Sequence, residues 1–385
     1  MRENEIDSNE LDVERLGWFG EALKALKHRN GVTVTDIFVV EGKPVRAGVL
    51  KACIPIEPLI IPKKNGINKF IEDTLPAELG AEKYNELFSA SQEAVSKLKR
   101  VERESYIEYA FSVKGFGRFR VSFSVSDEGV GLAIRQLPYD IPQIERLDKF
   151  GWFKGIKKML NASSFPAGLI LHTGTTGSGK TTLIASEIDY IAAKTSGVIY
   201  TFENPIEYKY TGRKAFIRQY EIGRHINSFI DGIRMSLRNN LTALLIGEIR
   251  SKEEIYSLFD AAMRGCLVFS SVHTANVMTT LRFLDGAGGE NRDAWRQIIA
   301  SAVRAIVSQK LIYKKEHGFI IIPEIFIPNG VIKQKIIEGK FSELEKMWDD
   351  NTFKEQTDCI RFKDSVEELF SKNILTLREK EEHLF

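Results

Sequence analysis

At about 150 residues per domain, a chain of 385 residues holds two domains or three. Its 43% apolar and 28% charged residues describe an ordinary globular chain and exclude wholesale disorder. A net charge of +2 exerts no general pull on a polyanion, and three scattered cysteines (Cys53, Cys266 and Cys359) make neither a disulfide framework nor a metal-ligand spacing.

The opening MRENEIDSNELDVERLGWF alternates acids and bases without an apolar core, unlike a secretory signal. The longest apolar stretch, Ala52–Pro62, is broken by Pro55, Glu57 and Pro58. No segment approaches the roughly 20 apolar residues that cross a bilayer. The expectation is a cytosolic protein, any membrane contact of which goes through a partner.

In chain order, Leu16, Phe19, Leu23 and Leu26 fall at helical spacing, and Asn30-Gly31 stops the helix. Val32–Val40 and Val45–Val49 flank Glu41-Gly42-Lys43-Pro44 as a hairpin, and Asn65–Arg103 has a helical pattern broken at Pro76. Gly117–Val125 alternates: Arg118, Arg120, Ser122 and Ser124 face one way, and Phe119, Val121, Phe123 and Val125 the other. Residues 1–136 therefore read as a small α+β domain, and Pro138 and Pro142 mark a linker over 137–150.

From residue 151 the pattern changes. Short apolar runs at Gly168–His172, Gly197–Phe202, Ala243–Gly247, Leu267–Val272 and Phe319–Phe326 alternate with helices, the signature of an α/β domain on buried parallel strands. After the fourth run, Trp295, Ile298, Ile299, Ala302, Val303, Ile306 and Val307 form one helical stripe. Residues 331–385 are charged and helical in pattern.

The first of these strands runs into Gly174-Thr175-Thr176-Gly177-Ser178-Gly179-Lys180-Thr181, and a helix pattern begins at Thr182. This is the strand–GxxxxGK[ST]–helix phosphate loop. Its glycines let backbone N–H groups and the helix N-terminus approach a polyphosphate. Lys180 adds a mobile positive charge, and the Thr181 hydroxyl is a hard ligand for Mg²⁺. The flanking strand and helix separate it from a glycine-rich turn with a solvated lysine.

Three later strand ends carry the complementary chemistry. Glu248, just after Ala243–Gly247, sits where a carboxylate holds Mg²⁺ or its water. Glu203 and Glu207, in Glu203-Asn-Pro-Ile-Glu207-Tyr, are alternative bases for an attacking water. His273, ending Leu267–Val272, is placed to donate a hydrogen bond to a terminal phosphate. Arg118, Arg120 and Arg135 are candidates for positive charge from a neighbouring copy, with Arg250 and Arg238 as weaker options. A basic and aromatic cluster, Lys149-Phe-Gly-Trp152-Phe-Lys154-Gly-Ile-Lys157-Lys158, is the one feature that suggests nucleic acid, and near-neutral charge weighs against it.

Together these residues resemble the secretion ATPase superfamily of type IV pili and of type II and type IV secretion, and most of all its pilus-retraction (PilT-like) branch. Gly174–Thr181 matches the Walker A box, Glu203–Tyr208 the aspartate box, Ile246–Arg250 Walker B, and Val272-His273-Thr274 the histidine box. Gly117–Val121 resembles the strand that supplies arginine fingers, with Arg135 as the second, and Val307–Leu311 resembles a conserved helix of the family. Thr35-Asp36-Ile37 through Pro44 resembles the start of its PAS-like domain. Departures are Asn204 for an acid, Ser251 after Arg250, Leu241-Thr242 before Walker B, and a loosely matching Val331–Ile337.

The resemblance implies a RecA-like P-loop NTPase core over 151–385 behind a PAS-like α+β domain. It implies a homo-hexameric, Mg²⁺-dependent ATPase motor working on an inner-membrane pilus, conjugation or secretion platform. Its nucleotide site would comprise Gly174, Thr175, Thr176, Gly177, Ser178, Gly179, Lys180, Thr181 and Thr182, with Thr181 and Glu248 at the metal. A nucleic-acid translocase on the same core and a non-catalytic nucleotide-binding scaffold are the rival readings.

Overall fold

The computed structural model describes residues 11–27, 36–49, 52–56, 60–74, 106–114, 116–126, 129–137, 140–161, 166–314, 316–350, 352 and 358–384. The chain divides into two compact units: Met1–Asp140 with Pro205–Tyr208 and Gly223–His225, and the remainder from Ile141.

The first unit is built on an antiparallel sheet in the order β3-β2-β1-β6-β5-β4. Its strands are β1 (Asp36–Val40), β2 (Arg46–Val49), β3 (Ala52–Pro55), β4 (Tyr106–Val113), β5 (Gly117–Ser126) and β6 (Gly129–Leu137). The hairpin forms where the turn residues place it, with Ile37 opposite Ala47. In β5, Phe119, Val121 and Phe123 are buried while Arg118 and Arg120 are half-buried on the other face, as the alternation predicts. Helices α1 (Trp18–Lys27) and α2 (Lys64–Thr74) cover the apolar face. Phe19, Phe70, Phe111 and Phe119 form its aromatic centre, with ring centroids 5.0 Å (Phe19–Phe70), 5.4 Å (Phe19–Phe119) and 5.6 Å (Phe111–Phe119) apart. The helical expectation for 75–103 lies outside the described residues.

The second unit is a seven-stranded sheet in the order β13-β12-β7-β11-β10-β8-β9. In chain order, α3 (Ile144–Leu147) and α4 (Lys154–Leu160) precede β7 (Gly168–Thr173), α5 (Lys180–Lys194), β8 (Val198–Glu203) and β9 (Phe216–Glu221). Then come α6 (Phe229–Ser236), β10 (Ala243–Ile246), α7 (Lys252–Met263), β11 (Leu267–Val272), α8 (Val277–Ala287) and α9 (Arg292–Ala302). Strands β12 (Val303–Lys314) and β13 (Gly318–Phe326) follow, and helices α10 (Gly330–Ile337), α11 (Phe341–Asp349), α12 (Phe362–Ser371) and α13 (Leu377–Leu384) close the chain.

The apolar strand runs have a simple cause. Leu169 and Leu171 of β7 enter one core with α7, α8 and α9, while Ile170 between them enters a second core with α4 and α5. A sheet covered on both faces needs apolar side chains at every position, so the period-2 signal vanishes.

Three expectations are corrected. The stripe from Trp295 to Val307 is not one helix, because α9 ends at Ala302 and Val303 begins β12. Val307–Leu311, likened to a helix, is therefore strand, pairing parallel with β7 and antiparallel with β13. A fully buried strand following a helix has the same apolar density as the helix, so periodicity does not separate them. Finally, Phe319–Phe326 is an edge strand and runs antiparallel to β12. Among the described residues, no helix is long and apolar enough to cross a membrane.

Candidate functional site

Parallel register brings the C-terminal ends of the central strands to one edge: Val272 pairs with Thr173, Ile246 with Ser270, and Ile246 with Phe202. In parallel α/β sheets this is the edge where ligands bind.

At the end of β7 the chain turns through Gly174, Gly177 and Gly179, whose φ values of 138°, 80° and 89° suit glycine and strain other residues. No atom lies within 4 Å of where a Cβ on Gly177 would point, so this corner faces open space. Lys180 opens α5, is 7% exposed, and folds its ammonium back to donate to the carbonyls of Gly174 (2.8 Å) and Thr175 (3.0 Å). A buried ammonium resting on loop carbonyls is a stored positive charge with its alternative partners close by. Thr175, Thr176 and Thr181 are exposed and Thr182 half-buried, so the loop presents hydroxyls outward.

Around this loop the other strand ends supply acids and a histidine. Gly247 donates its N–H to the Phe202 carbonyl (2.8 Å), and Ser271 donates its hydroxyl to the Gly247 carbonyl (2.7 Å), fixing the turn that carries Glu248. Glu248 Oε2 is 3.2 Å from His273 Nε2, and its Oε1 pairs with Arg250. The Walker B and histidine positions are thus joined directly. Thr173 at the end of β7 bonds the Thr274 hydroxyl (2.6 Å), and Thr274 bonds Thr280 (2.6 Å), which ties the histidine loop to the phosphate-loop strand. Glu203, 5% exposed at the end of β8, accepts from the Thr201 hydroxyl at 2.6 Å and from Gln219 at 3.4 Å.

The sequence groups Glu203 with Glu207, and the fold separates them: Glu207 belongs to the first unit. There its carboxylate lies 3.8 Å from Arg120, which also pairs with Glu108 at 2.8 Å. Arg118 donates to the Ile206 carbonyl at 3.1 Å, so both β5 arginines hold the Pro205–Tyr208 segment. Arg135 pairs with Asp36 at 2.8 Å. Ser251, which departs from the family's usual acid, is the N-cap of α7 in a capping box with Glu254.

Two aromatic members of the Lys149–Lys158 cluster are committed to the interior: Phe153 is fully buried, and Trp152, also buried, packs at a tilt against the half-buried Phe150 and donates to Glu368 at 2.7 Å. Burial pushes the Cys266 thiol up to about 12, which removes it as a nucleophile. Among the described residues, no group of three or more His, Cys, Asp or Glu side chains could hold a metal alone. A Mg²⁺ ion here would take only part of its shell from protein, in keeping with its habit of retaining water and phosphate ligands. The exposed Thr181 hydroxyl and the Glu248 carboxylate are the hard oxygen donors that fit it.

Sequence reasoning missed two residues near this edge. Gln309 on β12 donates to the Ser178 carbonyl of the phosphate loop (2.8 Å), and Glu324 on β13 accepts from the Val277 N–H at the start of α8 (2.8 Å). Both are polar residues inside apolar strand runs, a signal present in VSQKL and IIIPEIF.

A family model described as "Type II/IV secretion system protein" matches residues 99–324. The type IV pilus retraction ATPase PilT of Pseudomonas aeruginosa is 32% identical over 249 residues, 64% of this chain and 71% of the relative. YggR of Escherichia coli, described as uncharacterized, is 34% identical over 239 residues, 62% of this chain and 72% of the relative. Among solved structures, the pilus retraction motor PilT with bound ADP superposes with a TM-score of 0.75 at 26% identity, covering 94% of this chain and 96% of that one. The Legionella pneumophila ATPase DotB gives 0.72 at 22% identity, over 97% of this chain and 95% of that one, a likeness of fold.

Proposed function

The chain belongs to the type II/IV secretion system protein family and is an ATPase, and from that premise we propose that it is a Mg²⁺-dependent, hexameric motor. It converts ATP hydrolysis into mechanical work on an inner-membrane platform, for pilus retraction or for a related conjugation or secretion machine. The observation that carries this reading is Lys180 folded onto the carbonyls of a loop with three positive-φ glycines.

Loop N–H groups and Lys180 bind the phosphates of ATP. Thr181 and Glu248 would hold Mg²⁺, which when bound would neutralise charge on the outer phosphates. Glu203 or Glu207 orients the water that attacks the γ-phosphorus, yielding ADP and phosphate. His273, held by Glu248, donates to the terminal phosphate and loses that partner when phosphate departs. Arg118, Arg120 and Arg135 supply positive charge to the nucleotide of a neighbouring copy. ATP binding and phosphate release are the events that drive the mechanical step.

Phosphate release is the direct test. Wild-type protein should hydrolyse ATP with Mg²⁺ and stop when EDTA removes it, and Glu248→Gln should fall by about 10²-fold; equal background rates in both would sink the activity. Sedimentation with and without nucleotide tests the ring. Deleting the gene and scoring pili, conjugative transfer and protein export separates the machines: excess unretracted pili mark a retraction motor, and normal pili with lost transfer or export mark the others.

A further inference from the structure

Strand β12 pairs with β7 so that Ser308 lies opposite Thr173. One residue further along, Gln309 is level with Gly174, where the phosphate loop begins. Gln309 is 1% exposed, and its Nε2 donates to the Ser178 carbonyl at 2.8 Å. The packing leaves no slack. A Cβ on Gly174 would collide with the Gln309 carbonyl and lie 2.8 Å from Ser178 Oγ, and one on Gly179 would lie 3.3 Å from Gln309 Nε2. The neighbouring Ser308 donates to the Ala275 carbonyl at 3.2 Å, in the loop that carries His273.

The Ser178 carbonyl belongs to the same peptide plane as the Gly179 N–H. In a trans peptide the two point in opposite directions. A side-chain amide that holds the carbonyl toward β12 therefore aims the Gly179 N–H away from β12. Gly179, with φ of 89°, is a residue around which such a plane flips at little steric cost, so the loop needs an external hold.

We propose that Gln309 is a positioning residue of the phosphate loop: by anchoring the Ser178–Gly179 peptide from below, it keeps the Gly179 N–H directed at the bound nucleotide's phosphates. The proposal rests on the reading of this loop as the nucleotide site. Gln309 Oε1 and Ser178 Oγ are both buried without a hydrogen-bond partner among the described residues. A buried polar residue so poorly repaid is unexpected as mere packing, since an apolar side chain of the same volume would fill the space without that cost.

Gln309→Met keeps the length and loses the donor; Gln309→Glu sets a carboxylate against the Ser178 carbonyl. The probes are a fluorescent ADP analogue for affinity, steady-state ATP hydrolysis for kcat and KM, and thermal melting without nucleotide. Gln309→Met should weaken ADP binding and raise the ATP KM by about tenfold, with kcat within about twofold. Gln309→Glu should be weaker still. Wild-type affinity in Gln309→Met, with Lys180→Ala no longer binding, overturns the role of Gln309 and leaves the nucleotide site standing. A lowered melting temperature with unchanged affinity likewise reduces Gln309 to packing and overturns the proposal. Equal affinity in wild type and Lys180→Ala overturns the nucleotide site itself, and the role of Gln309 with it.

Discussion

From Gly129 to Ile134 of β6 in the first unit half-buried and buried residues alternate, whereas β7, β10 and β11 of the second are buried at every position. The first sheet keeps one face for polar side chains, and its candidate functional groups, Arg118 and Arg120, stand within β5, in its first half. The second sheet is covered on both faces, so mid-strand positions are closed to ligand and the polar groups move to the strand ends. Gly174, Glu203, Glu248 and His273 all follow the last residues of a strand or form them. Antiparallel architecture offers a surface; parallel architecture offers an edge.

This contrast can be broken at both ends. The largest expected effect is in the doubly covered sheet: Phe269→Ala on β11, fully buried, should lower unfolding free energy by about 3–5 kcal/mol in denaturant titration. A loss below 1 kcal/mol would show that the second sheet is not packed as described. At its edge, Lys180→Ala should reduce kcat/KM for ATP by about 10³-fold, near 4 kcal/mol, with the melting temperature of the nucleotide-free protein little changed.

The interior of the second sheet also makes stability depend on pH. Burial pushes the Glu324 carboxyl up to about 7 from its ordinary 4.5, against the Val277 and Trp348 N–H donors and the Lys310 charge, which favour ionisation, while Asp349 opposes it. A raised carboxyl favours the protonated native state. Its stabilisation is full below about pH 4.5 and is lost as pH climbs through 7. Between those limits wild type should lose about 3 kcal/mol more than Glu324→Gln, read from melts across that range; parallel profiles would refute the assignment.

On the first sheet's polar face, Arg120→Ala should cut hydrolysis by about 10²-fold. Mixing it with Lys180→Ala subunits should restore part of the activity if arginine and phosphate loop come from different copies. Absence of any recovery would assign Arg120 to its own subunit or to structure alone. The smallest effect belongs to Phe38 on β1, 39% exposed: its replacement by alanine should change stability by no more than about 0.5 kcal/mol.

Legibility in the sequence followed the same division. The phosphate loop was readable because its chemistry lies within eight consecutive residues, Gly174 to Thr181, and so was the β5 alternation, because a half-exposed strand writes its two faces into the sequence. Strand β12 was not, since its opening residues continue the apolar stripe of α9. Strand β9, FIRQYE, is not legible either, because an edge strand with mixed burial has neither a clean alternation nor an apolar run. Glu203 and Glu207 looked like a pair by spacing, but the chain between them passes from one unit to the other, and Glu207 ends beside Arg120.

Local chemistry is legible from the chain alone: a glycine loop of the phosphate-binding pattern, a lysine and threonine at fixed offsets, and acids and a histidine at the ends of apolar strands. These follow from covalent proximity, which tertiary packing does not alter. The tertiary structure decided which distant residues complete that chemistry. Glu248 meets His273, and Gln309 reaches Ser178 across 131 positions, because parallel register aligns strand ends that no sequence spacing relates.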